Sequence, residues 1–156
     1  ETAITLLDTP GHVDFSTETE RTLQVLDYVV LVISGTDGVQ SHSRTLWQLL
    51  SRHRIPTFLF LNKMDPHALG REVLLSQLLS ELSEGCVDMA DSELSERAAE
   101  CDEDALEEYL ATGEVSQSTL RRLLRQRKLF PCYFGSALKL EGVRELLAGQ
   151  NPEPAC

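Results

Sequence analysis

A chain of 156 residues with 42% apolar and 25% charged residues has the make-up of one ordinary globular domain with a real core. It contains no run of about 18 apolar residues, which excludes a membrane-spanning helix. The net charge is −11, an acidic stretch at 88–114 argues against a general nucleic-acid-binding surface, and no direct DNA binding is expected. That charge is uneven. Residues 88–114 hold eleven acids against one base, Arg97, whereas residues 115–128 hold Arg121, Arg122, Arg125, Arg127 and Lys128 and no acid. The basic cluster reads as a solvated helix face rather than an RNA contact. Cys86, Cys101, Cys132 and Cys156 form no CxxC pair and no zinc spacing, so free thiols in a reducing cytoplasm are expected.

In chain order, residues 3–7 (AITLL) read as a buried parallel strand. The chain starts at Glu1 with strand-like sequence almost at once and no signal peptide, so it is expected to be a piece of a longer protein. The strand stops at Asp8-Thr9-Pro10-Gly11-His12. An acid at the carboxyl end of a parallel strand lies where α/β sheets bind ligands, and there it holds Mg²⁺ directly or through water. Gly11, without a Cβ, lets backbone approach a terminal phosphate, and His12 then faces whatever attacks it. Thr17 and Glu20 form a capping box for a helix reaching about Leu26, with Leu23 and Leu26 inward. A metal set of His12, Asp14 and Glu18 is disfavoured, because no second histidine stands at helical spacing.

Residues 29–33 (VVLVI) read as a central strand, and 35–38 as a loop. Residues 41–52 read as an amphipathic helix carrying Leu46, Leu49 and Leu50, with Trp47 in its packing. A second buried strand, 57–61, leads into Asn62-Lys63-Met64-Asp65. Residues 73–82 read as a helix with Val73, Leu74, Leu78 and Leu82 as its apolar positions. Residues 88–128 read as a helical insertion without visible chemistry. One of its helices carries Leu106, Tyr109 and Leu110 and stops at Gly113; the next starts at Ser116 and buries Leu120, Leu123 and Leu124. A third strand, 131–134, leads into Gly135-Ser136-Ala137, and a short helix follows over 142–147. The βαβα order predicts an α/β fold with a parallel sheet flanked by helices. Residues 1–150 are expected to form one domain and 151–156 an untethered tail.

DTPGH, NKMD and GSA, each at a strand end and in that order, resemble the GTPase domain of translation factors. The resemblance runs from Ala3 to about Leu147 and implies a P-loop-NTPase-like fold. It implies that GTP or GDP binds with Mg²⁺, and that Asp8, Thr9, Pro10, Gly11, His12, Asn62, Lys63, Asp65, Ser136 and Ala137 contact the nucleotide. Asp8 would serve the Mg²⁺ shell through water, Gly11 the γ-phosphate, and His12 the attacking water. Asn62 and Asp65 would read guanine, whose N1–H and N2–H₂ suit one carboxylate accepting two parallel bonds. Lys63 would lay its stem along the base or ribose, and the Ala137 N–H would donate to guanine O6, with Ser136 shaping the loop. No GxxxxGK[ST] phosphate loop occurs in the chain. By the resemblance, that loop, the first strand and the first switch would precede Glu1. The expected domain is therefore a partial, N-terminally truncated GTPase domain, inactive alone, in which the strands at Ala3 and Val29 pair directly.

Within the group, SGTDGVQ at 34–40 and FPCYFGSA at 130–137 look most like tetracycline-resistance ribosomal protection proteins, which release the drug from the ribosome with GTP hydrolysis. LEEYLATGEVSQSTL at 106–120 is similar to elongation factor G, the alternative. A truncated, non-catalytic GTPase-like module is the third reading. The partner implied for the first two is the ribosome, in the cytoplasm, with no membrane involved.

Overall fold

The computed structural model describes residues 5–8 and 21–150. Among these residues four strands, β1 (Val29–Ser34), β2 (Thr57–Asn62), β3 (Cys86–Asp88) and β4 (Phe130–Phe134), form a parallel sheet in the order β1-β2-β4-β3. Helices α1 (Ser41–Arg52) and α2 (Arg71–Glu81) cover one face. There Leu31, Ile33, Leu59 and Leu61 pack against Trp47, Leu74 and Leu78. The opposite face carries Phe58, Phe60 and Tyr133 under Leu124 of α5 (Gln117–Arg125) and Leu146 of α6 (Val143–Gln150). A sheet buried on both faces explains why its strands read as unbroken apolar runs rather than alternating ones.

Several expectations are corrected. Among the described residues β1 is the edge of the sheet, not its centre, and Val32 is 56% exposed. Of the strand expected over 3–7, Thr5, Leu6 and Leu7 lie outside any strand and are not paired with β1, with Leu6 85% exposed, while Ala3 and Ile4 lie outside the described residues. An apolar run becomes a strand only when a neighbouring edge takes up its N–H and C=O groups. Strand β3 has no counterpart among the expected elements. It has three residues and ends in an acid, so it carries neither the length nor the β-branched signature of a strand. On α2, Leu74 and Leu78 are buried as expected but Val73 is half-exposed. Leu23 is buried and Leu26 half-buried beside Leu49, Leu50 and Ile55; the capping box expected for that helix lies outside the described residues.

The insertion is helical as expected, with α3 (Leu94–Ala99), α4 (Glu103–Thr112) and α5 around their own core of Ala98, Ala99, Ala105, Val115, Leu120 and Leu123. Gly113 ends α4 at φ 81, and its N–H donates to Tyr109 O. Ser116 Oγ caps α5 by accepting from the Thr119 N–H. Leu106 and Leu110 nonetheless face outward; the residue of α4 that is buried is Ala105. Ala105 and the half-buried Tyr109, four residues apart, share the face that packs on this core, and Leu106 and Leu110 lie one position further round the helix.

The basic cluster is structural, not simply solvated. Asp102 takes Lys128 at 2.5 Å and Arg122 at 2.7 Å. Arg127 turns inward, stacks over Trp47 and Phe130, and donates to Ile55 O, Thr57 Oγ1 and Ser51 Oγ. Hydrogen bonds from Lys128 and Arg122 hold Asp102 below the usual carboxylate range. A depressed carboxylate stabilises the fold above its unfolded pKa, near 4, and that contribution is lost as pH falls through the folded value. The stability gap between the wild-type protein and Asp102→Asn should therefore be constant above about pH 4 and close below it. Thermal melts of both across pH 2–8 check this, and a gap that does not narrow as pH falls below 4 would contradict it.

Cys86, Cys101 and Cys132 are free thiols, as expected, and Cys156 lies outside the described residues. Burial pushes the Cys101 thiol up to about 11 and Cys132 well up, so neither is poised as a nucleophile. No described helix is long and apolar enough to cross a membrane.

Candidate nucleotide-base site

Parallel strands in register bring their carboxyl ends to one edge of the sheet. Ser34 pairs with Asn62 across β1 and β2, and Leu61 with Phe134 across β2 and β4. The loops that follow, 35–40, 62–70 and 135–142, therefore emerge side by side, where α/β folds bind ligands.

Backbone hydrogen bonds fasten these loops together. The Gly35 N–H donates to Asn62 O at 2.6 Å, and the Leu69 N–H to Gly35 O at 2.8 Å. The Met64 N–H donates to Gly135 O at 3.0 Å. Lys63 stands between at φ 60, a left-handed conformation unusual for a side chain of its length. That turn sends Lys63 into solvent and Met64 inward, onto the core beneath α1 and α2. Gly35 makes room for it: a Cβ there would lie 2.7 Å from Met64 Sδ.

The central contact joins two motifs far apart in sequence. Asn62 Oδ1 accepts the Ala137 N–H at 2.9 Å. Asp65 is exposed, and its Oδ1 accepts the His67 N–H at 2.9 Å, which fixes the carboxylate's orientation. Ser136 is buried; its N–H and C=O bond to Glu141 O and N at 3.0 Å each, pinching 137–140 into a short loop. Leu140, at φ 59, and Gly142, at φ 76, complete the reversal.

The structure thus brings together Asn62, Lys63, Asp65, Ser136 and Ala137. Asp8 is exposed at the end of its segment. Thr9, Pro10, Gly11 and His12 lie outside the described residues. The Ala137 N–H, expected to face a base oxygen, donates here to Asn62, so a base must share that donor or displace Asn62 from it. Sequence reasoning misses Gly35, Met64 and Leu69 as supports of the site. A glycine directly after a strand end is the one local signal for the first of them.

Mg²⁺ commonly takes one or two carboxylates from the protein and fills its shell with phosphate oxygens and water. An exposed Asp8 has the donor chemistry for that share. Among the described residues no group of three or more acidic, histidine or cysteine side chains gathers to hold an ion.

Residues 1–150 match the family described as the elongation factor Tu GTP binding domain. A solved structure of a protein from Thermus thermophilus superposes with a TM-score of 0.75 at 22% identity, over 90% of this chain and 28% of that one. At that identity the likeness speaks for the fold alone, and the chain spans little more than a quarter of the solved protein. The match over nearly the whole length, together with the parallel sheet and its joined loops, places this chain in the elongation factor Tu GTP-binding domain family.

Proposed function

We propose that this chain carries the guanine-reading part of a translation-factor GTPase that converts GTP to GDP and phosphate on the ribosome, in the cytoplasm. The observation that carries the reading is the Asn62–Ala137 hydrogen bond, which makes one rigid unit of NKMD and GSA beside an oriented, exposed Asp65 carboxylate. Guanine offers two parallel donors to such a carboxylate; adenine does not. Lys63 covers a face of the bound base with its aliphatic stem. Asp8 would serve Mg²⁺ through water, Gly11 the γ-phosphate, and His12 the attacking water. Mg²⁺ would neutralise charge developing on the phosphate oxygens. His12 needs to orient rather than to be a strong base, since phosphoryl transfer asks the protein mainly for positioning.

Within this family, a ribosomal protection protein that releases tetracycline is supported by the resemblance at 34–40 and 130–137. An elongation factor G-type translocase is supported by residues 106–120. Release of labelled tetracycline from ribosomes, set beside translocation of a peptidyl-tRNA, separates these two. A non-catalytic module is the reading that would follow if no phosphate loop accompanies this chain in the full-length protein.

Equilibrium binding of GTP and ATP to the full-length protein tests the base assignment. Tighter binding of GTP by about 100-fold or more is expected, because a site built around a polar partner rejects the analogue that lacks it. Equal affinities would overturn the assignment.

A further inference from the structure

Arg71 is the first residue of α2 and so stands where the 62–70 loop ends. Its Nε and Nη2 donate to Asp88 Oδ2 and Oδ1, each at 2.5 Å. Its guanidinium lies 4.4 Å from the centre of the Phe134 ring. Phe134 is the last residue of β4 and leads directly into Gly135-Ser136-Ala137. One side chain therefore stands at the root of both loops that carry the site residues Asn62, Lys63, Asp65, Ser136 and Ala137.

Asp88 is a firm anchor for it. Its side chain is only 9% exposed, against 45% for Arg71. Asp88 Oδ1 also accepts the Ala90 N–H at 2.9 Å, and the adjacent Met89 N–H donates to Cys132 O at 3.1 Å. Asp88 is thus tied through β3 to β4, two residues before Phe134. A planar, two-pronged guanidinium is the cation suited both to grip a carboxylate and to stack on a ring. An ammonium in its place would make one point contact and no flat one.

We propose that the Arg71–Asp88 pair is a positioning device for base recognition: it fixes the end of the 62–70 loop against the start of the 135–142 loop, so that Asn62 and Ala137 stay in register. The pair acts through Phe134 and the loop backbones and does not touch the ligand. Its link to recognition rests on the guanine-reading assignment; its effect on the loops does not.

The test uses the full-length protein and hydrogen exchange read peptide by peptide. Removing Arg71 alone would strand a buried carboxylate and risk misfolding, so the informative variant is Arg71→Met with Asp88→Asn, which removes both charges. Exchange over 63–70 and 135–142 should accelerate about tenfold or more while the peptide covering 57–61 of β2 is unchanged. Arg71→Lys, which keeps the charge but not the flat two-pronged contact, should fall between. In the same double variant the preference for GTP over ITP should shrink, because ITP lacks the N2 amino group that only a well-placed Asp65 can reward. Unchanged loop exchange in the double variant would overturn the proposal. If Asp65→Asn leaves base preference untouched, the guanine assignment falls, while the exchange result still decides the role of the pair in the loops.

Discussion

Asp65→Asn in the full-length protein should lose GTP and gain xanthosine triphosphate. A carboxylate accepts from both guanine N1–H and N2–H₂. The amide that replaces it presents one acceptor and one donor group, and the donor meets the guanine amino group head-on. Xanthine carries an oxygen at C2, which accepts from that donor, so the mismatch is repaired by changing the ligand instead of the protein. Two charge-assisted bonds of about 1.5–3 kcal/mol each are at stake, and at 1.4 kcal/mol per tenfold that is roughly 10²–10⁴ in relative affinity. Asp65 is exposed, which argues for the lower part of that range until the bound base excludes water. The His67 N–H that holds Oδ1 can equally hold an amide oxygen, so the loop itself should survive the change. Competition between the two nucleotides on wild type and variant measures the effect. A variant that kept its GTP preference would show that Asp65 is a surface charge after a strand.

What the sequence disclosed was local, and what it hid was long-range. Ser116 and Gly113 are caps whose partners lie three or four residues away, and both stand where local chemistry puts them. The bounds of α1, and those of β2 and β4 to within one residue, were legible for a related reason: apolar runs stop where polar loops begin. Side-chain direction was less legible wherever a distant element sets it. Leu106 and Leu110 have the spacing of a buried stripe, yet the face of α4 that packs on the alanines of α3 is the neighbouring one, with Ala105 and Tyr109. Arg127 sits in a run of five bases that looks like one solvated face, but Trp47 and Phe130 supply a stacking site no window around residue 127 contains. The same holds at the site. NKMD and GSA announce themselves as residue types, while Arg71 and Asp88, which tie the loops that carry them, are an ordinary arginine and acid 17 residues apart.

Gly135→Ala should unfold the root of the site. A Cβ at Gly135 would lie 2.1 Å from Glu141 O, 2.8 Å from Glu141 C and 3.1 Å from Gly142 Cα. All three are backbone atoms, so no side chain can swing away to relieve the clash. Nor can the residue retreat. Its N–H is held by Leu61 O at 3.0 Å, and its C=O holds the Met64 N–H at 3.0 Å. Moving it breaks the ladder on one side or the Ser136–Glu141 pair of bonds on the other. Overpacking of this kind costs typically 1–3 kcal/mol and more where backbone is trapped, so about 3 kcal/mol is expected. For a domain of this size that corresponds to a fall of roughly 10 °C in melting temperature. Gly113→Ala supplies the contrast. Gly113 has φ 81 but nothing within 4 Å of an added Cβ, so only the backbone strain of a left-handed residue is incurred, about 1 kcal/mol. The two variants separate close approach from backbone conformation as the reason each glycine is there. Base binding separates them further: Gly135→Ala displaces Ala137 from Asn62 and should abolish guanine selectivity, whereas Gly113 lies in the insertion and its variant should bind as the wild type does. Thermal melts of equal depth for the two would refute the steric argument at Gly135.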